Sequence, residues 1–126
     1  MLSITLTKRE ILYALADQMS NVRSDHFGWL ADLRELLQGK EDSEDITVSI
    51  SGDLLIKIFN GVSNYYHGMA VNMNTAMKTK LASQLIPIAG SNAEAAAAIA
   101  AIQEKAAFDL AAVDGKVQAS KTLLDI

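Results

Sequence analysis

Apolar side chains recur along this chain with two periods, and the switches between them mark its elements. Leu2, Ile4 and Leu6 alternate with Ser3, Thr5 and Thr7, and Ile46, Val48 and Ile50 alternate with Thr47, Ser49 and Ser51. Period two with β-branched residues predicts half-buried strands over 2–7 and 46–51. A lone strand leaves its backbone unpaired, so the simplest arrangement joins the two in a ribbon; pairing with a partner subunit is the other. Elsewhere the period is helical. Ile11, Leu15, Met19, Val22, His26, Leu30, Leu33 and Leu37 step by threes and fours and predict a helix over 8–38. The polar stretch from Ser20 to Asp25 divides it in two if it breaks near 20–24, with Ser24 as a new cap. A second stripe, from Leu55 and Ile58 through Val62 and Tyr66 to Leu81 and Leu85, predicts a helix over 54–85. A third predicts a helix over 93–124, with Ser120 filling a place between Val117 and Leu124, spaced like a coiled-coil seam with a stutter.

Local signals punctuate these stripes. Thr7-Lys8-Arg9-Glu10 has the form of a capping box, and Ser51-Gly52-Asp53 supplies cap side chains for the second helix. Gly39 offers a left-handed stop, followed by an acidic loop over 40–45 whose Glu41, Asp42, Glu44 and Asp45 read as solvated. Pro87, the one proline, is expected to end the second helix, because a residue before proline disfavours α geometry. A turn over 86–92 then leads to Ser91 or Asn92 as the next cap. The fold class expected is mainly α, a single domain over 1–126. It is an elongated bundle of three long helices (four with the break), a minor two-stranded β ribbon and a C-terminal antiparallel helical hairpin. A helix over 93–124 would extend roughly 45 Å, against a radius of gyration of about 14 Å for a globular domain of this size.

Composition narrows the function classes. Among 126 residues, 50% are hydrophobic and 21% charged, which argues against disorder of the whole chain. The net charge is −4, and no basic run exceeds Lys8-Arg9, so no nucleic-acid partner is expected. The absence of cysteine excludes disulfides, thiolate catalysis and cysteine-ligated metal. The first residues lack the continuous apolar run of a secretory signal, so synthesis in the cytoplasm is expected. Incorporation into a larger particle, or export without a cleaved signal, stays open.

Candidate chemistry is thin. His26 lies on the first apolar stripe and His67 beside Tyr65 and Tyr66, but the residues three before them are Arg23 and Asn64. The Glu-x-x-His pairs of a bundle metal site are therefore missing, and no metal or cofactor is expected. No nucleophile elbow, phosphate loop, HExxH or paired-carboxylate motif occurs, so the chain is read as no enzyme. Asn60, Asn64, Asn72 and Asn74 fit either a register-fixing helix contact or an uncharged solvent face. Met69, Met73 and Met77 fit core filling or an adaptable binding stripe. From Leu81 to Gln103 the only charge is Glu94. That length approaches a membrane span, yet Pro87, Gly90, Ser91 and Asn92 interrupt it. A tight alanine-lined helix contact and an exposed hairpin tip are the remaining readings.

The function expected is a non-enzymatic structural or assembly protein that self-associates through long amphipathic helices. A building block of a viral, phage or secretion-machine particle would be one setting. A small helical adaptor or inhibitor of another protein is the alternative, and a membrane-active hairpin the lesser one. The expected contact surface comprises Met69, Met73, Met77, Leu85, Ile86, Pro87, Ile88, Ile99, Ile102, Leu110, Val113 and Val117, and the expected partner is a second copy or another protein.

Overall fold

A computed structural model describes residues 1–16, 27–59, 72–104, 106–108 and 114–126. Strand β1 (Leu2–Thr7) pairs antiparallel with β2 (Asp45–Ile50), Leu2 opposite Ile50 and Thr7 opposite Asp45. The expected ribbon is present, with its second strand one residue earlier in the chain. Leu2, Ile4, Leu6, Ile46, Val48 and Ile50 are all buried, and the hydroxyls of Thr5 and Thr47 meet on the other face at 2.8 Å. A slip of one residue would exchange the two faces, so the alternation itself fixes the register.

Helix α1 (Lys8–Ala16) begins at the capping box. The Glu10 amide donates to Thr7 Oγ1 at 3.1 Å, and the Thr7 amide donates to Glu10 Oε1 at 2.9 Å. The acidic loop does more than face water. Its Glu44 and Asp42 carbonyls accept from the Lys8 and Arg9 amides at 3.0 and 2.9 Å, and the buried Lys8 ammonium donates to the Lys40 carbonyl at 2.8 Å. The loop thus takes up amides that the first turn of a helix cannot satisfy internally. Helix α2 (Phe27–Leu37) buries Leu30, Leu33 and Leu37, and Gly39 follows at φ +78° as the expected stop. The expected break at Ser20 to Ser24 lies outside the described residues.

The two remaining long helices are corrected. Helix α3 (Gly52–Phe59) starts where Ser51 Oγ accepts from the Leu54 amide at 3.1 Å. The chain from 54 to 85 is not one helix, because Asn72–Asn74 forms strand β3 before α4 (Thr75–Ala89) begins. The helix expected over 93–124 is also divided. Helix α5 (Ala93–Gln103) is followed by strand β4 (Ala106–Phe108), which pairs parallel with β3, and then by α6 (Asp114–Leu124). The apolar spacing carried through these positions, but asparagine favours helices weakly, and parallel pairing offers 72–74 and 106–108 another way to satisfy their backbone. The longest described helix, α4, has 15 residues.

Pro87 does not end its helix. α4 continues to Ala89, and the turn shrinks to Gly90, Ser91 and Asn92. Pro87 and Ser83 both lie exposed, so the Ser83 carbonyl left without its amide donor can meet water. Asn92 caps α5, its Oδ1 accepting from the Ala95 amide at 3.1 Å. The far ends of the pair also meet, since Lys78 Nζ donates to the Gln103 carbonyl at 3.3 Å. α4 and α5 are therefore antiparallel. Ala95 and Ala98 are fully buried, as expected of small side chains that let helices close on one another.

The core is one cluster. The ribbon's inner face packs with Leu12 and Leu15 of α1, Leu33 of α2, Leu55 of α3, Leu81 of α4 and Ile102 of α5. α6 docks on α1, where buried Ser120 Oγ donates to the Leu12 carbonyl at 2.5 Å. Lys121 adds a contact to both oxygens of Asp42, at 3.0 and 3.1 Å.

Candidate functional site

The expected contact surface divides into three parts. Met69, Leu110 and Val113 lie outside the described residues, as do His26 and His67, and Met73 is placed by its backbone in β3. Met77, Leu85, Ile99, Ile102 and Val117 are buried within the chain's own core, so a single copy does not present them. Ile86, Pro87 and Ile88 are exposed. Ile86 at 54% and Ile88 at 39% are two of the four exposed large hydrophobic side chains among the described residues. They sit at the tip of the α4–α5 hairpin, where no residue from Leu81 to Ala93 carries charge.

The other two, Met1 and Leu36, flank a different feature. A groove of about 380 Å³ runs between α2 and β2, lined by Trp29, Asp32, Leu33 and Leu36 on one side and by Thr47, Val48 and Ser49 on the other. Trp29, Asp32 and Leu36 recur at three and four along α2, beside the stripe that enters the core. The Trp29 indole N–H donates to the Ser49 carbonyl at 3.3 Å. Its ring also lines a small apolar void of about 20 Å³ in the core, so Trp29 stands between void and groove. Among the described residues none that lines the groove is lysine or arginine, and the ammonium of Met1, which also lines it, is held by Glu94 at 2.9 Å.

The ribbon's two edges differ. Lys8 and Glu44 are a hydrogen-bonded pair, so by alternation Thr5, Thr7, Thr47 and Ser49 direct their backbone groups away from the ladder. On the β1 edge both backbone groups of Thr5 and the amide of Thr7 are taken. The Thr5 amide donates to Gln84 Oε1 at 2.6 Å, Gln84 Nε2 donates to the Thr5 carbonyl at 2.9 Å, and Glu10 accepts from Thr7. On the β2 edge no further strand pairs among the described residues, and the groove opens there.

Two carboxyl groups are held in specific settings. Burial pushes Glu10 up, but the Lys80 ammonium at 2.6 Å, the Thr7 hydrogen bonds and the Lys80 charge together bring it below its ordinary value. At Glu94 the bond from the Met1 ammonium at 2.9 Å lowers the carboxyl. Desolvation there acts in the opposite sense, while the ammonium charge and the Gly52 amide help to lower it. Both groups tie elements together and neither lines the groove. Among the described residues no cluster of histidine, aspartate and glutamate is arranged to hold a metal ion, and no helix is long and apolar enough to cross a membrane.

No family model, curated protein or solved structure matches this chain. Function is therefore argued from the two surfaces. Sequence reading singled out the hairpin tip but passed over the groove, although Trp29 is the only tryptophan and shares a helical face with Asp32 and Leu36.

Proposed function

We propose that this chain is a non-enzymatic assembly protein that packs against further copies of itself through the α4–α5 hairpin tip. The observation that carries the reading is the exposure of Ile86, Pro87 and Ile88 together, in a charge-free stretch whose other large apolar side chains, Leu81 and Leu85, are buried. An uncharged apolar tip has no like charge to oppose its own image across a two-fold axis, so a self-complementary contact costs little desolvation. The helix lengths that favoured self-association in the sequence are not those of the folded chain, and the reading now rests on the tip.

Light scattering on a sizing column tests it. A mass that is a multiple of 13.6 kDa at micromolar concentration, returning to one chain in an I86S/I88S variant with an unchanged circular dichroism spectrum, is the expected result. A wild-type chain that stays monomeric removes the proposal. The second reading, a module that binds another protein, is favoured by the groove at the β2 edge.

A further inference from the structure

We propose that the groove between α2 and β2 takes an extended peptide of alternating apolar and basic residues, added as a third strand along the open edge of β2. Among the described residues no strand or side-chain amide pairs with the β2 edge as Gln84 does with β1. Gln84 supplies a donor and an acceptor to Thr5 as a neighbouring strand would, whereas Thr47 and Ser49 present their outward backbone groups toward the groove, where the Ser49 carbonyl meets only the Trp29 indole at 3.3 Å among the described residues. Main-chain hydrogen bonds along such an edge provide affinity, and the pockets for alternate side chains provide selectivity.

The lining sets the alternation. Side chains of an added strand that point inward enter beneath α2, against Trp29 and Leu36, with Asp32 at the rim. Those that point outward run beside the face shared by Asp45, Thr47 and Ser49, where Asp45 carries a negative charge. Among the described residues that line the groove Asp32 is the one charged side chain, the Met1 ammonium is paired with Glu94 at 2.9 Å, and exposed Asp45 begins β2. A second copy pairing β2 with β2 would bring another Asp45 to this site, and β2 has no basic residue to offset it. Charge complementarity therefore favours a basic partner over a second copy. The Trp29 indole is the donor that an added strand's amide would replace at the Ser49 carbonyl. This inference does not depend on the hairpin contact.

The probe is a blocked peptide of alternating valine and lysine, with a valine–glutamate peptide as its control. Trp29 is the sole tryptophan, so its emission reports on the groove directly. The expected result is a saturable emission shift with the lysine peptide, little with the glutamate peptide, and new protection of the Thr47 and Ser49 amides from hydrogen exchange. Thr47→Pro removes an outward amide while leaving the β1 ladder intact, and should weaken binding by at least about tenfold. Asp45→Lys, at an exposed position on the face that the outward side chains follow, should reverse the preference between the peptides even if the proline variant fails to fold. Binding that leaves Trp29 emission and both amides unchanged overturns the proposal. So does protection of those amides that rises with protein concentration alone, which would assign the edge to a second copy.

Discussion

The carboxamide of Gln84 closes on both backbone groups of Thr5, with Oε1 2.6 Å from the amide nitrogen and Nε2 2.9 Å from the carbonyl oxygen. A helix side chain thereby pairs with the strand edge, and α4 is fastened to a ribbon residue 79 positions away. Replacing Gln84 with alanine leaves two part-buried backbone groups without protein partners. At about 0.5–1.5 kcal/mol for each net hydrogen bond, Q84A should cost about 1–3 kcal/mol in urea unfolding. Q84E should cost more at neutral pH, since a carboxylate oxygen would then face the Thr5 carbonyl. A Q84E variant as stable as wild type would mean that the edge is not held this way.

Glu10 gives stability a pH dependence of defined sign. Its folded pKa lies below the ordinary value of 4.5, through Lys80 and Thr7 acting against burial. Its contribution is therefore complete above the unfolded pKa and is lost as pH falls through the folded one. E10Q keeps an acceptor for the Thr7 amide but removes the charge, so the fall in stability below about pH 4.5 should be shallower than in wild type. Glu94 acts in the same direction, and E10Q/E94Q should be flatter again. Parallel curves for wild type and E10Q would remove Glu10 from the account.

Gly52 and Glu94 form a second close relationship. A Cβ built on Gly52 would stand 2.7 Å from Glu94 Cγ and 3.3 Å from the Glu94 carbonyl oxygen. Alanine there must displace the Glu94 side chain and shift its carbonyl by a few tenths of an ångström, and overpacking of this kind costs about 1–3 kcal/mol. Glu94→Ala removes the nearer obstacle, so G52A should cost less in an E94A background than alone. Contacting positions couple in this way, and additive losses would show that the two residues do not meet.

The elements legible in the sequence were those fixed by local chemistry. The Ser/Thr alternation of 2–7 and 46–51, the Thr7–Glu10 box, Gly39 and the Asn92 cap each need only near neighbours to be recognised. The stripes misled where tertiary pairing intervened. Met73 and Ala106 keep helical spacing with Met77 and Ile102, yet they lie in the paired strands β3 and β4. Period alone cannot register a break whose flanking stripes stay in phase. The hairpin tip was visible as a charge-free run containing proline. The groove was not, because Trp29 and Thr47 become neighbours only once α2 packs on the ribbon's open edge.

Pro87 allows helix stability and self-association to be separated. It is the third-last residue of α4 and lacks the amide that would donate to the Ser83 carbonyl, so P87A restores that bond and removes the ring's clash with the preceding turn. The unfolded chain gains freedom at the same time, which offsets about 0.4–1 kcal/mol. A net gain of about 1–2 kcal/mol is expected, read as a rise in the thermal midpoint of a few degrees. Ile86 and Ile88 remain in place in this variant, so the mass measured by light scattering should not fall. I86S/I88S should show the converse, a fall in mass with little change in the midpoint extrapolated to low concentration. If P87A abolishes assembly while raising the midpoint, the proline ring itself is the contact, and the isoleucines beside it only frame it.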